Sequence, residues 1–156
     1  EYNKLRCLEN HDQRRAAARF PELVQLLAWT ALSYFMKGTT LLYAGQEVCE
    51  THTPSLFEKE PIDWHGGEDI SAYLAKLAEI KHRLPADAVF HMDMDDAQGI
   101  LTACYTAPGV RATGVFPLAG KPGTVTLPAG EYRDALSSRV FTGGEIAVGT
   151  EAMIFL

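Results

Sequence analysis

Residues 22–36 read ELVQLLAWTALSYFM, and this stretch decides the fold of the first half of the chain. Leu23, Val24, Leu26, Leu27, Trp29, Leu32, Tyr34 and Phe35 leave almost no polar face, and a helix apolar all round is expected to be covered all round. Pro21 suits a first helical turn, and Lys37-Gly38 supplies a glycine free to take a left-handed cap. Upstream, Lys4 to Glu9 reads as a short strand carrying Leu5, Cys7 and Leu8. Downstream, Thr39 to Tyr43 reads as a second strand without polar alternation, as buried parallel strands do. Strand, crossover helix and strand make a parallel βαβ unit.

Further out, Ala44 to about Glu68 is a long irregular loop, rich in Thr, Pro, Gly and acidic residues. Loops of that length in compact domains are more often functional than decorative. Ile70, Tyr73, Leu74, Leu77, Ile80 and Leu84 then recur at spacings of three and four, an amphipathic helix with Asp69 as N-cap and Pro85 as its stop. Past Pro85 the texture changes. Short apolar runs at 89–92, 100–105, 112–116, 124–127, 131–135, 145–148 and 152–155 are punctuated by turn signals such as Pro108-Gly109 and Gly143-Gly144. That is the pattern of a small antiparallel sandwich or barrel. The boundary is placed near residue 85, giving an α/β piece over 1–84 and an all-β module over 85–156. Two parallel strands with two helices leave sheet edges open, so the first piece is expected to be the tail of a larger α/β barrel.

The composition agrees with a globular chain: 156 residues, 47% hydrophobic, 22% charged, formal charge −6. No apolar run is long enough to span a membrane as a helix. The acidic balance argues against nucleic acid or an anionic membrane as partner, since both need clustered cations. Cys7, Cys49 and Cys104 are odd in number and widely spaced, which points to reduced, buried thiols and a cytoplasmic setting, with secretion as the alternative. The chain starts at Glu1, not Met, so a leader was removed or the sequence begins part-way through a longer one. No cofactor and no metal is expected: His52, His65, His82 and His91 are scattered. The run Met92-Asp93-Met94-Asp95-Asp96 lacks the glycine and final Glu of a calcium loop and reads as a solvated turn.

Asn10-His11-Asp12 ends the first strand, and in α/β barrels the carboxyl ends of strands carry the active site. There Asp12 could stabilise developing positive charge and His11 could donate to a sugar hydroxyl or another polar group. The same residues also suit a plain turn that Asp12 caps. Gly38 to Glu47 could bring Gln46 and Glu47 to the same rim, or form a structural turn around Tyr43. Trp29 is read as core. Trp64 either stacks on a sugar ring or staples the long loop.

Leu8-Glu9-Asn10-His11-Asp12 resembles the motif ending in N-H-D at barrel strand seven of the alpha-amylase family of glycoside hydrolases. Gly38 to Glu47 is similar to that family's strand-eight motif, with Thr40 where proline is usual, a departure that bears on loop rigidity. Leu56 to Trp64 looks like the segment, ending in Trp, that follows strand eight in many members. The change at residue 85 falls where these enzymes pass from barrel to C-terminal sandwich. The resemblance implies an α/β plus all-β fold: the C-terminal fragment of a (β/α)8 TIM barrel followed by a small antiparallel β-sandwich.

It also implies a retaining mechanism on α-glucans or maltooligosaccharides, in which an Asp nucleophile and a Glu acid/base work beside a third carboxylate. Asp12 matches the third carboxylate, the catalytic residue of this chain. His11 matches the residue that binds a sugar hydroxyl, and Asn10 the residue that holds the turn. Gln46 and Glu47 match a rim motif of mainly structural role, and Trp64 belongs to the same rim. The nucleophile and acid/base belong to strands four and five of the family barrel, upstream of Glu1. Asp63, Glu68, Asp93, Asp95 and Asp96 follow no barrel strand and do not replace them. The chain by itself is therefore expected to be inactive, and to self-associate or rely on the missing barrel. A transglycosylase or isomerase of the same family, and a non-catalytic carbohydrate-binding or interaction module, are the alternatives.

Overall fold

The computed structural model describes residues 3–156, and the strand–helix–strand unit forms in it with shorter strands than the sequence suggests. β1 is Leu5–Arg6 and β2 is Thr39–Thr40, parallel and in register as Leu5 with Thr39 and Arg6 with Thr40. The Thr39 N–H donates to the Lys4 carbonyl at 2.9 Å and the Leu41 N–H to the Arg6 carbonyl at 2.8 Å. Among the described residues each strand has this one neighbour, so the ladder ends early and both outer edges stay open. Gly38, at φ +123°, makes the approach possible: a Cβ there would lie 2.2 Å from the Lys4 carbonyl oxygen.

Between these strands lie a short helix α1, Ala16–Arg19, and the crossover helix α2, Leu23–Phe35. α2 is not covered on every side. Leu23 and Val24 are exposed at its first turn, and Leu27 and Trp29 are half-buried. Trp29 lies parallel to Phe20, with ring centroids 5.3 Å apart, and its buried indole N–H finds no acceptor among the described residues. The two buried hydroxyls of the helix are satisfied locally: Thr30 donates to the Leu26 carbonyl at 2.8 Å and Ser33 to the Thr30 carbonyl at 2.7 Å.

The second amphipathic helix, α3, runs Ser71–Arg83 and buries Leu74, Leu77 and Ile80, as its periodicity predicts. Its cap differs by one residue. Ile70 occupies the N-cap position because its side chain is drawn into the core, while its N–H donates to the Glu47 carbonyl at 2.8 Å. Asp69 accepts the Ser71 N–H at 2.9 Å from one residue further out.

The remainder is strand-rich and antiparallel: β3 (Val89–Asp95), β4 (Ile100–Ala107), β5 (Val110–Pro117), β6 (Gly123–Arg133), β7 (Val140–Val148) and β8 (Met153–Phe155). Four of them form a sheet in the order β3-β4-β5-β8, and β6 pairs with β7 as a separate ribbon. Two sequence expectations are corrected. Met92 to Asp95 is strand, not turn: Asp93 pairs with Thr102 and Met94 with Leu101, leaving the carboxylates on an exposed edge. The runs at 124–127 and 131–135 belong to one strand, interrupted by a register shift between Leu127 and Glu131.

The ribbon packs on one face of the sheet through Ile100, Val115, Leu127, Ile146, Val148, Met153 and Phe155, which makes the expected sandwich. The opposite face is covered by α2 and α3. Phe35, at the end of α2, meets Tyr105 and Phe116 at centroid distances of 5.4 and 5.5 Å and Phe90 at 6.5 Å. Polar bonds cross the same seam: Gln25 Nε2 donates to the Leu118 carbonyl at 2.8 Å and Lys37 Nζ to the Ala88 carbonyl at 3.2 Å. Asp134, buried at the turn between β6 and β7, accepts the Ile154 N–H at 2.9 Å and the Leu136 and Ser137 N–H groups at 3.1 and 3.0 Å. It thereby pins the ribbon to β8. The three cysteines are free and half-buried, more accessible than core thiols would be. No described helix is long and apolar enough to cross a membrane.

Candidate functional site

Both parallel strands run into turns that carry the residues singled out by sequence. After β1 the chain folds back at Asn10: its side-chain Oδ1 accepts the Asp12 N–H at 2.9 Å and its carbonyl accepts the Gln13 N–H at 3.2 Å. This side-chain turn is a use to which Asn is suited. It leaves His11 and Asp12 in solvent, with side chains 63% and 68% exposed and His11 Nε2 3.3 Å from Asp12 Oδ2. An accessible carboxylate beside an imidazole can face a cationic centre while the ring meets a hydroxyl. Among the described residues no three His, Cys, Asp or Glu side chains converge as a metal site.

The turn is anchored from below by a pair that sequence reasoning missed. Glu9 precedes it and Arg15 follows it, both 1% exposed, and Arg15 Nη1 donates to Glu9 Oε1 at 2.6 Å. The second carboxylate oxygen accepts the Ala16 N–H at 2.5 Å, at the start of α1. Arg15 also reaches the other strand's loop: Nη1 and Nη2 donate to the Ala44 carbonyl at 2.9 and 3.0 Å, and Nε to the His52 carbonyl at 3.1 Å. Its guanidinium lies 4.7 Å from the centroid of the Tyr43 ring. The available signal was a lone Glu closing a strand and an Arg six residues on, on either side of five polar residues.

After β2 the chain enters a short 3-10 helix, Gln46–Val48, through Gly45 at φ +92°. Gln46 is buried and its Oε1 receives the Tyr43 N–H at 3.5 Å; Glu47 Oε2 accepts the Gly45 N–H at 2.8 Å. Both side chains thus serve their own turn, and a Cβ on Gly45 would come within 2.9 Å of Arg15 Nη2. The Asn10 and Gln46 turns are brought together through Arg15.

The long loop is held by carboxylates. Glu50 accepts the His52 N–H at 2.8 Å and the Asp63 N–H at 3.0 Å, which hold its carboxyl below the usual range. Glu60 accepts the Ser55 N–H at 2.7 Å and lies 2.8 Å from His52 Nε2; these bonds lower it likewise. Phe57 is carried outward, 93% exposed. Trp64 stands half-exposed on a turn in which Asp63 Oδ1 accepts the His65 N–H at 3.0 Å.

A strand-rich antiparallel domain set on a short parallel α/β segment is the class this fold defines. Residues 91–155 match the family model described as the bacterial alpha amylase C-terminal domain. No curated protein matches the chain. Solved structures do. An alpha-amylase from Lactobacillus plantarum aligns over 99% of this chain and 38% of its own, at 28% identity and TM-score 0.84. A maltogenic alpha-amylase from Thermotoga neapolitana aligns over 99% and 41%, at 20% identity and TM-score 0.83. An Anoxybacillus alpha-amylase aligns over 99% and 38%, at 20% identity and TM-score 0.80. The chain therefore spans about two fifths of the length of the solved amylases it is similar to.

Proposed function

We propose that this chain is the C-terminal part of a retaining, alpha-amylase-type glycoside hydrolase acting on α-glucans. In this reading residues 1–84 are the last βα units of a (β/α)8 barrel and 85–156 its C-terminal sandwich. The observation that carries it is the parallel β1–β2 pair, with the exposed His11–Asp12 pair on the turn that follows one strand and the Gln46–Glu47 turn following the other. Asp12 stabilises the oxocarbenium-like transition state, His11 donates to a hydroxyl of the sugar beside the scissile bond, and Asn10 holds both in place. Gln46, Glu47 and Trp64 belong to the rim. The nucleophile and acid/base come from preceding strands of the same protein, and this chain alone does not turn over substrate.

The partner is an α-glucan or maltooligosaccharide, with neither nucleic acid nor membrane involved. Leu5, 61% exposed, and the apolar side chains of Cys7, Leu8, Trp29 and Met36 around the open edge of β1 face the missing barrel or, in the fragment, a second copy. The free cysteines suit a cytoplasmic setting.

Transfer or isomerisation is the second reading: a trehalulose synthase mutant shares the fold at TM-score 0.71 and 12% identity. Replacing Asp12 by Asn in the full-length protein should lower kcat on maltooligosaccharides at least ~100-fold, the scale of losing one preorganised electrostatic group. Near-native turnover would remove Asp12 from the mechanism. Longer products or new linkages from the unmodified protein would favour transfer. Micromolar binding of maltoheptaose by the isolated chain would point to a binding module instead.

A further inference from the structure

We propose that the buried Glu9–Arg15 pair is a positioning device for the Asp12 carboxylate, an inference that rests on Asp12 being the charge-stabilising group. Asp12 is exposed, and its own turn is held by the two bonds to Asn10. An exposed turn of that kind is free to shift as a unit unless its ends are fixed. Here both ends are fixed by one ion pair. Glu9 lies three residues before Asp12 and Arg15 three after, and neither side chain is accessible.

Three features make the pair more than a local brace. Glu9 uses both oxygens, one on Arg15 and one on the Ala16 N–H, so the exit of the turn into α1 is held in two directions. Arg15 uses all three of its nitrogens, two of them on the Ala44 carbonyl and one on the His52 carbonyl. Those carbonyls belong to the chain leaving β2, so the height of the Asp12 turn is set relative to the neighbouring strand. Finally, the guanidinium lies over the Tyr43 ring, and Gly45 leaves the space it needs, since a Cβ there would come within 2.9 Å of Nη2. A lysine could keep the charge, but it lacks the planar fork that reaches Glu9, Ala44 and His52 together.

Catalytic geometry is sensitive at this scale: a misplacement of about 1 Å can cost about 100-fold in rate. Arg15→Lys in the full-length protein should therefore lower kcat per titrated active site about 10- to 100-fold, with KM changed less than about threefold. The decisive readout is a double-mutant cycle. In an Asp12→Asn background the same Arg15→Lys change should cost little further rate, because there is no carboxylate left to position. An equal loss in both backgrounds would show a general structural role and overturn the proposal. Full kcat in Arg15→Lys, with Asp12→Asn strongly impaired, would overturn it while leaving Asp12 in the mechanism. A silent Asp12→Asn would remove both. Glu9→Gln, which keeps an acceptor of the same shape, provides a second variant for the same cycle. If neither variant folds, as read by far-UV circular dichroism, the pair serves the fold and the proposal falls.

Discussion

The Tyr105 hydroxyl donates to the Phe35 carbonyl at 2.8 Å, so a residue from the middle of the sheet closes the last turn of α2. The final carbonyls of a helix have no partner within it, and buried ones must find one elsewhere. Tyr105→Phe keeps the ring against Phe35 and Phe90 but orphans that carbonyl. A loss of about 1–3 kcal/mol is expected, measured as the shift in urea midpoint at unchanged slope. An unshifted midpoint would mean that water reaches the carbonyl.

The same burial predicts an alkaline limit. It pushes the phenols of Tyr34, Tyr73 and Tyr105 up, that of Tyr105 to about 12. The folded state then holds these protons more tightly than the unfolded chain. The contribution is complete below the ordinary tyrosine range and is lost as pH rises through the folded values. Absorbance titration should show these three of the six tyrosines ionising late, together with loss of structure. Six equivalent titrations near pH ~10 would contradict it.

Gly38→Ala tests the β1–β2 pairing. A methyl group 2.2 Å from the Lys4 oxygen at φ +123° forces the strands apart. The amides of Thr39 and Leu41 should lose hydrogen-exchange protection while those of β4 and β5 keep theirs.

Glu9→Ala leaves the Arg15 charge buried without its counterion. Breaking such a pair typically costs about 3–5 kcal/mol, and calorimetric unfolding should register a loss of that order. Adding Arg15→Met should recover part of it by removing the stranded charge, despite the lost bonds to Ala44 and His52. If the double variant is weaker than Glu9→Ala, the carbonyl bonds outweigh the charge.

The long loop should respond to acid. Glu50 and Glu60 are held low by N–H donors, so their stabilisation is present above the ordinary carboxyl range and lost as pH falls through their folded values. The His52, Ser55 and Asp63 amides should lose exchange protection, taken relative to their intrinsic rates, as pH falls below the ordinary carboxyl range, ahead of the sheet amides. Uniform loss of protection across the molecule would show that the carboxylates do not hold the loop.

What was legible in the sequence was hydrophobic pattern. α2 follows from an almost unbroken apolar run between Pro21 and Lys37-Gly38, α3 from apolar spacing, and the strands past residue 85 from alternation between turn signals. The Met92–Asp95 segment alternates too, but its acidic half suggested a turn; the structure uses those carboxylates to blunt an edge strand. The extents of β1 and β2 were not readable, since a ladder ends where its neighbour ends. Glu9 and Arg15 were invisible for another reason. Charges default to solvent, and only a tertiary arrangement tells that two of them are inside. The Asn10–Asp12 turn was found because its residue types say what they can do, and the clamp beneath it was not.

Phe35 has one more consequence. Its ring is shared between a helix from the first half and three aromatic side chains from the second, in an interior that also takes in Leu74, Leu77 and Ile154. Cutting the chain at Pro85 would split that interior into two wet apolar faces. Exchanging the sandwich for one from a relative would work only if α2 and α3 travelled with it. The natural unit of transplantation here is set by where the aromatic rings meet, some fifty residues upstream of the place where the texture of the sequence changes.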